Sequence, residues 1–91
     1  MAMIAVWLKL DEGRVAQALQ EAGEKLDGAE GEVVLDFSSV RRVDPSALQA
    51  MAEFVGQADQ KGVKAVLRGV NVDVYKVLTL VKLVSRFRFV N

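Results

Sequence analysis

Apolar and polar positions change period several times along this chain. Ile4, Val6, Leu8 and Leu10 alternate with Ala5, Trp7 and Lys9. A period of two is that of a strand buried more heavily on one face. Asp11 then stands where a helix N-cap belongs, and Val15, Ala18, Leu19, Ala22 and Leu26 recur at helical spacing, with Glu21 and Lys25 four apart on the polar side. This predicts a first helix ending near Gly28. Asp27–Gly31 is a loop by composition, and Val33-Val34-Leu35 is the unbroken aliphatic run of a strand covered on both faces, placed centrally in a parallel sheet.

From Pro45 to Lys61 the apolar positions Leu48, Met51, Ala52 and Val55 follow helical spacing, with Ala47, Ala50, Phe54 and Ala58 widening the stripe and Gly62 as the stop. Val63, Ala65, Val66 and Leu67 predict a third strand ended by Gly69. Asn71 caps a helix carrying Val74, Val77, Leu78 and Val81, and Phe87–Val90 closes the pattern as a short strand. Strands alternating with helices imply right-handed crossovers. The expected fold class is α/β: a single-layer, mostly parallel sheet of about four strands with three helices packed on it, forming one domain over residues 1–91.

Composition narrows the chemistry. Hydrophobic residues make up 52% of the 91, enough to bury a core and exclude disorder along the whole length. Twelve basic residues balance twelve acidic ones, and no basic cluster exceeds Arg41-Arg42, so a phosphate-backbone footprint is missing and nucleic acid is not an expected partner. The chain has no cysteine and no histidine, which removes disulfides, thiolate nucleophiles, zinc ribbons and the commonest general base. The apolar start lacks a basic region of the signal-peptide kind, and no apolar run reaches the roughly 20 residues needed to span a bilayer. A cytoplasmic protein without direct membrane insertion, cofactor or metal is expected. Asp36 and Asp44 have no third ligand near them in sequence to complete a metal site.

At Val43–Leu48 the sequence "V-D-P-S-A-L" concentrates unusual residue types at one junction. Asp44 is a favoured N-cap, and Pro45 at the first helical position lacks only an N–H that would be orphaned there. Ser46 follows at the second helical position, near free backbone N–H groups and the positive end of the helix dipole, where a phosphate is well accommodated. In its wider frame, "V-V-L-D-F-S-S-V-R-R-V-D-P-S-A-L" from Val33 to Leu48 resembles the STAS family of anti-sigma factor antagonists and related regulators. That family's pattern runs from a strand ending in Asp, through a Ser-containing loop, to Asp-Ser-Ser-Gly-Leu opening a helix. "L-R-G-V-N-V-D-V-Y-K-V-L-T-L" from Leu67 to Leu80 resembles the next strand and helix.

The resemblance implies a non-enzymatic binding module that docks on a partner through the surface around Ser46. It makes Ser46 the phosphoacceptor and Asp44 the family aspartate. Pro45 replaces the first family serine and Ala47 the glycine. The surface so expected comprises Arg41, Arg42, Asp44, Pro45, Ser46 and Ala47. Its partner is an anti-sigma factor with serine kinase activity. "R-V-D" at Arg42–Asp44 and "G-V-N" with "V-Y" between Gly69 and Tyr75 also resemble a second STAS branch, the small subunit bound to the ATPase of a phospholipid-transporting ABC complex. An enzyme is not expected, since no base accompanies a serine nucleophile. Without the resemblance, Asp44 reads as a cap, Arg41 and Arg42 as solvated charges, Ser38 and Ser39 as turn residues, and Trp7 and Tyr75 as edge or core aromatics or partner anchors.

Overall fold

The computed structural model describes residues 5–28 and 31–90. Four strands, β1 (Ala5–Lys9), β2 (Glu32–Asp36), β3 (Lys64–Arg68) and β4 (Arg88–Val90), pair in parallel in the order β1-β2-β3-β4. Three helices, α1 (Val15–Glu24), α2 (Pro45–Gln60) and α3 (Val72–Leu80), occupy the crossovers. Each right-handed crossover moves one strand onward in the same direction, so all three helices lie on one face of the sheet. Every helix therefore starts at the same sheet edge, where the strands end. No helix among the described residues is long and apolar enough to cross a membrane.

Strand alternation separates two environments. Val33, Leu35, Ala65 and Leu67 join the core beneath the helices with Leu19, Met51, Phe54, Val55, Val74 and Leu78. The opposite face carries the row Trp7, Val34, Val66, Arg88 and the next row Lys9, Asp36, Arg68, Val90. Val34 and Val66 are nonetheless buried, at 7% and 3% exposure. Their cover is made by long side chains: the Arg68 guanidinium lies 5.4 Å from the Trp7 ring centroid and pairs with Asp36 at 3.6 Å, and Arg88 pairs with Glu32 at 3.8 Å. Arginine stems shield apolar surface while their heads stay wet. Val33-Val34-Leu35 is thus central and covered on both sides, as its composition requires.

Several expectations shift in detail. Ile4 lies outside the described residues. Asp11 makes no side-chain cap: the chain first forms a 3₁₀ turn at Glu12–Arg14, and α1 begins only at Val15 with Arg14 as its N-cap residue. Beyond Glu24 the chain tightens into a second 3₁₀ turn, Lys25–Gly28. On α2 the buried stripe is Ala47, Ala50, Met51, Phe54, Val55 and Ala58, which leaves Ala52 exposed and Leu48 half-buried. Both sets satisfy helical spacing, so periodicity alone does not choose between them; the buried stripe is rotated by about one residue toward Ala47 and Phe54. Val81 lies past the end of α3 and is exposed. Gly62 ends α2 with φ +69, and Gly69 ends β3 with φ +72 in close approach to Ser38.

Candidate functional site at the start of the second helix

The start of α2 is organised around one carboxylate. Asp44 is extended (φ −91, ψ 174), and its Oδ1 accepts the Ala47 N–H at 2.8 Å, with Pro45 at the first helical position. The same oxygen accepts the Ser46 hydroxyl at 2.9 Å. The Ala47 N–H, and after it the Ser46 hydroxyl, hold the Asp44 carboxyl below its ordinary value, so it is ionised at neutral pH. Asp44, Pro45 and Ser46 are exposed, whereas Ala47 is turned into the core at 4% exposure. The Ala47 methyl meets this chain's own interior, so of the six residues expected in the docking surface Ala47 is the one whose side chain is buried.

The loop between β2 and α2 is fixed at both ends. At its start Asp36 Oδ1 accepts the Ser38 N–H at 2.9 Å, and the Val40 N–H reaches Phe37 O at 2.9 Å. The Ser38 hydroxyl and N–H, with Arg68 and Lys9 nearby, hold the Asp36 carboxyl below its ordinary value against the opposing effect of burial. Further along, Glu12 Oε1 accepts the Arg41 and Arg42 N–H groups at 2.6 and 3.1 Å, and Asn71 Nδ2 donates to Arg41 O at 3.2 Å. Asn71 also caps α3 by accepting the Val74 N–H at 2.8 Å, the role its position predicts.

Three adjacent depressions flank this loop. Asp44, Ser46 and Ala47 share a cleft of about 220 Å³ with Glu12, Gly13, Arg14, Val15, Ala16 and Gln17. Arg41 and Arg42 instead line a polar cavity of about 430 Å³ with Glu12, Asn71 and Asp73, and a smaller one of about 190 Å³ with Val43, Asp73, Val74 and Val77. The six residues singled out from the sequence thus occupy one continuous loop and helix start. Arg41 and Arg42 nevertheless open onto the α3 side, and the cation in the Ser46 cleft is Arg14. Arg14, Glu12 and Gln17 were not identifiable by motif. Their position was: loops that follow parallel strands meet outside the carboxyl ends of the sheet, and the loop after β1 carries Glu12 and Arg14 and leads into α1, where Gln17 lies.

Chemically the cleft offers one exposed hydroxyl, the carboxylates of Asp44 and Glu12, and one guanidinium. A carboxylate with a lowered pKa is a weak general base at neutral pH. Among the described residues no three histidines, cysteines or carboxylates are grouped to hold a metal ion.

Residues 9–85 match the family model described as "Mlab, STAS domain". A crystal structure from Thermotoga maritima, TM1081, provisionally assigned as an anti-sigma factor antagonist, superposes with a TM-score of 0.78 at 16% identity, covering 99% of this chain and 83% of that one. The solution structure of TM1081 gives 0.80 at 17% identity, over 96% and 74%. A sulfate transporter family protein from Wolinella succinogenes gives 0.84 at 16% identity, over 98% and 80%. At these identities the likeness is one of fold. No curated protein matches the chain in sequence.

Proposed function

Because the chain belongs to the STAS domain family, with residues 9–85 matching its model, we propose that it is a cytoplasmic, non-enzymatic regulatory module of one domain that docks on a partner protein through the Ser46 cleft. Phosphorylation of Ser46 is the release switch. The observation that carries this reading is the exposed Ser46 hydroxyl at the second position of α2, donating to the Asp44 carboxylate at 2.9 Å.

The covalent step needs a kinase and a nucleoside triphosphate. Ser46 Oγ attacks the γ-phosphorus, the Oγ–P bond forms as the bond to the departing diphosphate breaks, and the hydroxyl proton passes to the kinase's base. Oγ then has no hydrogen to give Asp44. A dianionic group instead stands beside that carboxylate, and repulsion with desolvation disfavours any partner surface closed over the cleft. Arg14 and Glu12 line the same cleft, so a cation and a second carboxylate both face the modified group.

The partner class proposed is an anti-sigma factor with serine kinase activity, in line with the Thermotoga neighbour. The family model is described as "Mlab, STAS domain", and together with the strings at Arg42–Asp44 and Gly69–Tyr75 this supports a second reading: an accessory subunit on the ATPase of a phospholipid-transporting ABC complex. In that setting Pro45 and Ala47, which replace the serine and glycine of the kinase-substrate pattern, are neutral. The test is affinity of wild type, Ser46→Ala and Ser46→Asp for a purified serine-kinase anti-sigma factor and a purified ABC ATPase. A Ser46→Asp affinity at least about tenfold below Ser46→Ala, equivalent to about 1.4 kcal/mol, supports the switch. Equal binding by both variants removes Ser46 from the interface. Binding to the ATPase alone, without phosphate transfer from the kinase, selects the second reading.

A further inference from the structure

The backbone of Arg41 and Arg42 belongs to no strand or helix, yet it is held by side chains about thirty residues away on both sides. Glu12, in the loop after β1, takes both N–H groups on one oxygen, and Asn71, in the loop after β3, donates to the Arg41 carbonyl. Two consecutive amides directed at one side-chain oxygen tie both residues of the segment to a single acceptor. Glu12 also lines both the Ser46 cleft and the Arg41–Arg42 cavity, so it stands at their common wall. The segment it grips leads through Val43 directly into the Asp44 cap.

We propose that Glu12 is a positioning residue: it fixes the Arg41–Arg42 backbone so that both guanidinium groups and the Ser46 turn are presented in one arrangement to the docking partner. The proposal rests on the docking reading above for its functional half. Glu12 and both arginines are exposed, so water replaces the lost acceptor when Glu12 is removed. The fold tolerates the change, and the fixed geometry of the loop is what disappears. Glutamine at position 12 keeps an acceptor oxygen of the same reach and restores the loop without the charge.

The experiment compares wild type, Glu12→Ala and Glu12→Gln by amide hydrogen exchange and backbone relaxation, with binding to the two purified partners of the Ser46 test. In Glu12→Ala, exchange at the Arg41 and Arg42 amides should rise by about tenfold or more, as loss of protection from local opening implies. Order should fall over residues 41–46, and sheet and α2 interior amides should keep wild-type protection. Glu12→Gln should lie close to wild type. Affinity should fall by about tenfold in Glu12→Ala and recover in Glu12→Gln. Unchanged exchange at Arg41 and Arg42, loosening spread through the core, failure of glutamine to rescue, or a loosened loop with undiminished binding each overturns the proposal. If Ser46→Asp binds as Ser46→Ala does, the docking reading fails by itself, and the exchange result still decides whether Glu12 holds the loop.

Discussion

Ser46 donates its hydroxyl to Asp44 Oδ1, the oxygen that also takes the Ala47 N–H and caps α2. Helix start and candidate modification site therefore share one atom. The folded-state pKa of Asp44 lies below the ordinary 3.8, so its ionised form stabilises the fold above about that pH, and the contribution is lost as pH falls through the folded value. Asp44→Asn keeps an acceptor and should melt near wild type at neutral pH, with a flatter loss of stability below about pH 4. Asp44→Ala should lower Tm by roughly 4–8 °C at neutral pH, the scale of a lost cap in a domain of this size. Thermal melts across a pH series check both.

Met51 is fully buried between α2 and the sheet. Met51→Asp should fail to fold, because an unpaired buried carboxylate costs several kcal/mol against a total stability of about 5–15 kcal/mol. Ala52→Asp, one residue along on the exposed side, should fold with a change within about 0.5 kcal/mol. Circular dichroism and denaturant melts distinguish the two, and equal behaviour would misassign the buried face.

Gly69 and Lys82 both adopt left-handed backbone, at φ +72 and +64. A Cβ on Gly69 would meet Ser38 Cβ at 3.1 Å, with Ser38 backbone at 3.2 Å, so Gly69→Ala combines strain with a clash that cannot easily relax. A loss of about 1–3 kcal/mol is expected. Lys82→Gly removes a side chain from the same backbone region and should gain up to about 1 kcal/mol, less whatever the more flexible unfolded chain returns. Urea denaturation midpoints at constant slope measure both.

Trp7 is the only tryptophan, and Arg68 lies over its ring. Intrinsic fluorescence therefore reports directly on the outer face of the sheet. Arg68→Ala should change Trp7 emission while costing only about 0.5–1 kcal/mol for the contact at an exposed site, plus any lost shielding of Val66. An unchanged spectrum would show that the guanidinium does not sit over the ring in solution.

Hydrophobic periodicity made the strand and helix order legible, because a parallel α/β sheet writes alternate periods of two and about 3.6 along the chain. Asn71 as a cap, Gly62 and Gly69 as stops, and Met51 as a core residue follow from local rules. Local rules missed what distant segments supply. Asp11 has the composition of a cap, but the 3₁₀ turn at Glu12–Arg14 takes the helix start to Val15. Glu12 has no sequence neighbour that reveals its donors, since Arg41 and Arg42 come beside it only when β1 and β2 pair. Arg14 enters the Ser46 cleft for the same reason. The arginine pair could be located from the sequence, whereas the direction in which it opens could not.

Strand order in the sheet is identical to strand order in the chain. During synthesis, which proceeds from the N-terminus, each new strand can dock on the free edge of what has already emerged, and none must be threaded between two earlier ones. β1 and β2 can pair around α1 before α3 and β4 have left the ribosome. Assembly can therefore proceed in one direction, with the three-residue β4 joining the free edge of β3. β4 touches neither β1 nor β2, so the pairing that brings Glu12 beside Arg41 is made entirely by strands that precede it in the chain.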